Sequence, residues 1–197
     1  MKKIIGKIIL FLIGWKVDEH TPIEAQRAVV LAAPHTSNWD FFFVIVGFWV
    51  LGVPMKVAIK DDWVKFPFGL IIKPLGGLGI NRGPKKDRSS ALSQVDQMAA
   101  FFNQMDRIAL VIAPEGTRRL QPKWKSGFYH VAQKANVPMC LGYVDYKNKI
   151  AGIHHEAIQP TGDMNADLCK VMEFYGTIQG KNPDQFILDK RYLSETS

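Results

Sequence analysis

The chain has 197 residues, 47% of them hydrophobic and 22% charged. That suits one globular domain with a real core and excludes extensive disorder. Its 25 Lys and Arg against 18 Asp and Glu leave +7, which favours phospholipid headgroups, phosphorylated substrates or nucleic acid as partners without choosing among them.

The chain opens on Met1-Lys-Lys-Ile-Ile-Gly-Lys-Ile-Ile-Leu-Phe-Leu-Ile-Gly-Trp-Lys16. A basic start and an apolar centre resemble a signal peptide, but Val17-Asp-Glu-His20 follows where a small-residue cleavage site would stand. The apolar stretch from Ile8 to Trp15 is far short of the roughly 20 residues that span a bilayer. Lysines around it and a tryptophan at its end predict a helix lying in the membrane interface; the alternative is a helix packed on the protein's own core. We therefore divide the chain into an amphipathic segment, 1–20, and a body, 21–197.

Arg27 to Ala33 is an apolar run ending at Pro34, which suits a buried strand. Asp40 to Val53 is almost wholly apolar and aromatic, and Ser37 or Asn38 is placed to cap it as a helix about 20 Å long. Met55 to Lys60 reads as a strand, and Asp61 to Lys73 as a short helix broken by Pro67. Leu75 to Asn81 is Gly-rich with a strand-like end. Ser89 to Met105 has helical spacing, with Leu92, Val95, Met98, Ala99 and Phe102 on one face. Ile108 to Ala113 is the clearest buried strand. Gly127 to Ala135 is a helix, Met139 to Val144 a strand, Lys149 to Ile158 the returning strand of a hairpin, and Asp163 to Gln179 a helix. Strands alternating with helices predict an α/β fold, a single sheet flanked by helices.

Two short signatures stand at predicted strand ends, where α/β proteins commonly place their sites. His35 and Asp40 follow the first strand. An imidazole titrates near neutrality and can take a proton from an attacking alcohol; a carboxylate on its other nitrogen fixes the tautomer and stabilises the imidazolium. Four residues between them allow a turn to bring the Asp beneath the His. Glu115-Gly-Thr-Arg118 follows the strand Ile108 to Ala113. Gly116 permits close backbone approach, Arg118 offers a planar fork suited to phosphate, and Glu115 is a candidate acceptor for a substrate hydroxyl. A third element, Gly79-Ile-Asn-Arg82, ends a strand with another arginine but lacks the Gly-Lys-Ser/Thr of a phosphate-binding P-loop.

Together these motifs resemble the lysophospholipid acyltransferase family, which includes bacterial 1-acylglycerol-3-phosphate acyltransferases. His35 to Asp40 resembles its His-x4-Asp motif, Gly79 to Arg82 its second motif and Pro114 to Arg118 its third. Val137-Pro138 and the strand after it resemble the fourth. Ala58-Ile-Lys60, Phe66-Pro67-Phe68, Lys125-Ser-Gly127 and Ile158 to Asp163 resemble segments between and after the motifs, so the similarity covers roughly residues 27 to 163.

The resemblance implies a mixed, mostly parallel sheet of the glycerol-3-phosphate acyltransferase type. It implies acyl transfer from acyl-CoA or acyl-carrier protein to a lysolipid hydroxyl, with 1-acylglycerol-3-phosphate as the default acceptor, at the cytoplasmic face of a phospholipid membrane. His35 would be the general base and Asp40 its orienter. Lys60, Arg82, Glu115, Gly116, Thr117, Arg118 and Lys125 would form the substrate-binding set, Glu115 positioning the acceptor. No metal and no bound cofactor are expected. The stretch before His35 leaves room for one membrane helix, and Asn81 and the polar run Tyr143 to Lys149 depart from the family pattern; these departures bear on the acceptor.

The remaining signals are weaker. His154-His155-Glu156 lies on a predicted strand, where adjacent side chains point to opposite faces and would not chelate jointly. Cys140 and Cys169 fall in neither a CxxC nor a metal-type spacing, so two unpaired thiols in a reducing compartment are expected rather than a disulfide. Nucleic-acid binding rests on charge alone, without a recognition helix, zinc motif or aromatic RNA-binding pattern. A non-catalytic lipid-binding module would not need His35 and Asp40; a hydrolase using His35 would put water in place of the alcohol. Val137, Pro138 and the run Phe41 to Trp49 are candidates for lining a substrate pocket or for plain core.

Overall fold

The computed structural model of the chain describes residues 1–81 and 93–193. Its elements in chain order are α1 (Lys2–Leu12), β1 (Lys16–Val17), β2 (Arg27–Ala32), α2 (Trp39–Leu51), β3 (Met55–Lys60), α3 (Gly69–Ile72), β4 (Gly77–Ile80), α4 (Gln94–Gln104), β5 (Ile108–Ile112), α5 (Gly127–Ala135), β6 (Met139–Asp145), β7 (Ile150–Ile158) and α6 (Met164–Tyr175). Short 3-10 turns punctuate them, one of them Asp61–Val64 between β3 and α3.

The strands form one seven-stranded sheet in the order β1-β7-β6-β2-β5-β3-β4. All neighbours are parallel except the β6–β7 hairpin. The central strands are apolar throughout because helices cover both faces. Val29, Leu31, Ile108, Leu110, Met139 and Leu141 form one core with Phe102 of α4, Phe128 and Val131 of α5, and Leu168 and Val171 of α6. The alternate residues Ala28, Val30, Ala109, Val111 and Cys140 form a second core with Phe48 of α2. This is the period of two that a strand imposes, with a separate helix layer behind each face.

Local signals set the helix ends. Ser93 and Asp96 close a reciprocal capping box on α4, and Asp163 accepts the Asn165 and Ala166 N–H groups at the start of α6. Of the two residues expected to cap α2, Asn38 makes no capping bond, whereas the Ser37 hydroxyl oxygen accepts from the Trp39 N–H at 3.2 Å. The Asp40 carboxylate accepts from the Thr36 and Ser37 N–H groups just before the helix.

Segment 1–20 is built into the body rather than set apart from it. Gly6 and Leu10 of α1 are buried, a Cβ at position 6 would press on Val50 of α2, and Trp15 stacks on Phe43 with ring centroids 3.9 Å apart. Lys16–Val17 then pairs with Ile150–Ala151 as an edge strand. The other side of α1 exposes Ile4, Ile5, Ile8, Phe11 and Leu12. The reading of α1 as a helix packed on the protein's own core therefore holds for its buried side. No helix among the described residues is long and apolar enough to cross a membrane.

Candidate active site

β2 and β5 are adjacent and parallel, with Leu31 opposite Ile112. The loops that leave their C-terminal ends, one carrying His35 and the other Glu115, are therefore delivered side by side. His35 Nδ1 lies 3.3 Å from Asp40 Oδ2. The same oxygen accepts from the Thr36 and Ser37 N–H groups at 2.9 and 2.8 Å, and Oδ1 accepts from the Tyr146 hydroxyl at 2.8 Å. Asp40 is only 3% exposed, so its charge is carried by these donors and by the imidazole. With Nδ1 facing Asp40, the tautomer is set and Nε2 is the nitrogen left for a substrate.

Glu115 does not face outward as a ligand for a substrate hydroxyl. It is buried, and both carboxyl oxygens accept from the His35 backbone N–H, at 3.0 and 3.2 Å. Burial pushes this carboxyl up to about 8, the His35 N–H opposes the shift, and the nearby charge of Asp40 adds to it. Glu115 thus ties the second signature to the backbone of the first.

Gly116 follows with φ of +67°, a left-handed conformation natural to glycine. A Cβ there would meet the Lys125 side chain, which lies across it. The Arg118 guanidinium donates to the Asn38 side-chain oxygen. Gly116, Thr117, Arg118, Arg119, Lys125 and His35 together line one side of a cleft of about 660 Å³, and Val57, Ala58 and Ile80 line the other. His35 also lines a small apolar cavity of about 120 Å³, with Phe41 and Val44 of α2 and with Ala32, Val57, Val111 and Gly142. His35 thus borders both a cleft with basic side chains and an apolar cavity.

Not every expected site residue arrives here. Lys60 pairs with Asp62 at 2.5 Å and is not among the residues lining the cleft. Arg82 lies outside the described residues. Val137 is buried on the opposite face of the sheet, in the core of α5 and α6, whereas Phe41 and Val44 do line the apolar cavity.

His154 and His155 depart from the alternation expected of a strand. Cys140 pairs with Ala157 but Gly142 with Ile153. Extra residues therefore bulge out of β7 at 154–156. The two imidazoles lie 4.3 Å apart by centroid, and His154 also packs on Phe174 at 4.5 Å. Groups of three or more His, Cys, Asp or Glu able to hold a metal are absent among the described residues. Neither cysteine is disulfide-bonded, and burial pushes the Cys140 thiol up to about 12, which removes it as a nucleophile.

Three contributors hold partners that the sequence did not indicate. Tyr146 sits in the β6–β7 turn and reaches Asp40 across 106 positions of sequence; its polar neighbourhood was legible, its partner was not. Asn182 donates to the Thr36 hydroxyl and carbonyl oxygens at 3.2 and 2.8 Å, so the C-terminal tail holds the His35 loop from outside. Asn38, expected as a cap, instead holds Arg118.

The model of the Acyltransferase family matches residues 15–141, a span that contains both signatures. In fold the chain is similar to the crystal structure of the 1-acyl-sn-glycerophosphate (LPA) acyltransferase PlsC from Thermotoga maritima. The TM-score is 0.53 at 19% sequence identity, over 88% of this chain and 74% of that one. No curated protein matches the chain at a significant level.

Proposed function

We propose that this chain, which belongs to the Acyltransferase family, transfers a fatty acyl group from acyl-CoA or acyl-carrier protein to the hydroxyl of a lysophospholipid, 1-acylglycerol-3-phosphate, in phospholipid biosynthesis. The observation that carries the reading is that His35, paired with Asp40, lines both an apolar cavity and a cleft that carries Arg118, Arg119 and Lys125. An acceptor with an acyl chain, a free hydroxyl and a phosphate presents those two chemistries on either side of the reacting oxygen.

His35 Nε2 takes the proton of the acceptor hydroxyl as the oxygen attacks the thioester carbonyl. Asp40 stabilises the imidazolium that forms, and its own donors from Thr36, Ser37 and Tyr146 hold it in place. The tetrahedral intermediate then expels the thiolate, which takes the proton from His35, leaving an ester and a free thiol. Because a thioester is already activated, the step needs a base, a positioned alcohol and stabilisation of the oxyanion, and no metal or bound cofactor. Arg118 and Lys125 bind the acceptor phosphate, with Thr117 beside them and Arg82 as a further candidate; Gly116 keeps the backbone clear for their approach. Glu115 acts on the His35 loop.

The exposed apolar side of α1, bordered by Lys2, Lys3 and Lys7, supports monotopic attachment to a phospholipid membrane, where the acceptor resides. Since the donor thioesters are cytoplasmic molecules, the reading puts the enzyme at the cytoplasmic face.

The test is a panel of acceptors offered to the purified protein with labelled acyl-CoA and, separately, labelled acyl-carrier protein. The panel comprises lysophosphatidate, lysophosphatidylcholine, a monoacylglycerol and a simple long-chain alcohol. Lysophosphatidate is expected to have the highest kcat/KM. A monoacylglycerol used equally well would overturn the phosphate assignment, and transfer to none of them would overturn the activity.

A further inference from the structure

The crossover between β3 and β4 exposes an unusual amount of apolar surface for its length. Trp63 is 51% exposed, Phe66 85%, Phe68 53%, Leu70 71% and Ile71 68%. Five large apolar side chains within nine positions form a patch of the sort that marks an interaction site. The patch is built, not frayed. The Gly69 N–H donates to the Lys65 carbonyl at 2.7 Å and the Ile72 N–H to the Phe68 carbonyl at 3.0 Å. A Cβ at Gly69 would strike the Val64 carbonyl, and the Trp63 and Phe68 rings pair at 5.1 Å. Val64, in the middle of the segment, points into the protein and is buried. This local architecture turns one side inward and holds the aromatic side out.

Charge indicates what covers it. Segments 1–20 and 55–76 hold eight lysines against three aspartates and one glutamate, a surplus of +4 within a chain whose total is +7. Asp61 is paired with Lys65, Asp62 with Lys60, and Glu19 with Lys3 and Lys7. The two segments also border one groove, of about 340 Å³, in which Lys2 of α1 and Trp49 of α2 face Lys56 and the stretch Pro74 to Gly76. Lys2 Nζ sits 5.8 Å above the Trp49 ring. A net positive charge therefore accompanies both of these sets of exposed apolar side chains. A second copy of this chain, bearing the same charge, would be repelled there. An anionic bilayer offers both complements at once, headgroups for lysines and acyl boundary for aromatic and aliphatic side chains.

We propose that the crossover, residues 61–73, is a second bilayer-docking element that works with α1 to seat the protein on anionic membranes. Two contacts on separate elements fix the orientation of the molecule on the surface, which one helix alone would leave free to roll. The proposal extends the membrane reading of α1 but stands on a different segment, so the two are separable by experiment.

The test uses the full chain, wild type and the variant Phe66→Ser/Leu70→Ser/Ile71→Ser, in vesicle flotation. Vesicles are made of phosphatidylcholine alone or with phosphatidylglycerol added. The wild type is expected to bind the phosphatidylglycerol vesicles, and the variant to lose roughly tenfold or more in partitioning while keeping its melting temperature. Acyl transfer to a short-chain acceptor dispersed without vesicles is expected to be unchanged in the variant. Wild-type partitioning retained by the variant would overturn the proposal. So would sedimentation in lipid-free buffer showing that the wild type self-associates through this patch and the variant does not. Flotation lost as expected, with no acyl transfer by the wild type, would leave the docking element standing and bring down the proposed function instead.

Discussion

The two signatures meet at one cleft but are built in opposite ways. In the His35 loop nearly every polar group has a protein partner. Asp40 is held by the Thr36 and Ser37 N–H groups, Tyr146 and His35, while Glu115 takes the His35 N–H and Asn182 grips Thr36. In the basic rim, Arg118, Arg119 and Lys125 are long and exposed, and Asn38 is the side chain that holds Arg118. The difference suits the two tasks proposed for these residues. A proton-transfer group gains from fixed distances, since a small displacement costs rate steeply. A phosphate-binding rim can adapt, because Coulomb attraction to a doubly charged group tolerates imperfect geometry. Substitutions in the loop should therefore act on turnover, and substitutions in the rim on acceptor binding.

The sharpest way to break that contrast is His35→Ala. Loss of the base is expected to lower kcat by about 10²–10⁴-fold. The side chain is 27% exposed and its backbone N–H stays available to Glu115, so the melting temperature should hold. Turnover close to wild type in the purified, folded variant would show that the base lies elsewhere.

A smaller effect, on a different parameter, is expected for Arg118→Ala. Removing a charged hydrogen-bond donor to phosphate is worth on the order of 1.5–3 kcal/mol, about 10–100-fold in KM for lysophosphatidate. Turnover at saturation should change little. A monoacylglycerol should be used equally well by both proteins, and an equal loss with both acceptors would place Arg118 in the loop's task and not the rim's.

Much of this arrangement was legible in the sequence. β2, β5 and β6 announce themselves as apolar runs because both faces of those strands are covered. Placing both signatures at strand ends was enough to make them converge, since the two strands are neighbours. What was not legible depends on long-range partners. Nothing in Tyr146 announces Asp40, and nothing in Asn182 announces Thr36. Glu115 read as a ligand because a motif glutamate beside an arginine looks outward; its burial follows from the parallel register, which brings the His35 backbone within its reach. Lys60 read as a site cation because the presence of Asp62 two residues on does not reveal which way the pair turns. The bulge in β7 likewise breaks an alternation that the residue pattern alone implied.

Glu115 offers the finest test, because it belongs to the rim's signature but serves the loop. Its carboxyl is raised from 4.5 to about 8, mainly by burial, so near neutral pH it is protonated in the folded protein and ionised in the unfolded chain. Between those two values the folded state holds one more proton than the unfolded state, and stability must fall as pH rises. The contribution is complete below about 4.5, declines through the window and is gone above about 8. Gln in its place keeps an acceptor oxygen for the His35 N–H and cannot ionise. Glu115→Gln should therefore retain activity within a few-fold near pH 7. Its melting temperature should gain on that of the wild type as pH rises through the window. Above it, the wild type carries two buried carboxylates, Glu115 and Asp40, against one imidazole, and its loop should loosen first. Thermal melts of both proteins between about pH 5 and pH 9 measure this directly. A melting-temperature difference that stays flat across the range would mean that Glu115 is ionised throughout, and that the His35 backbone is held by a charge.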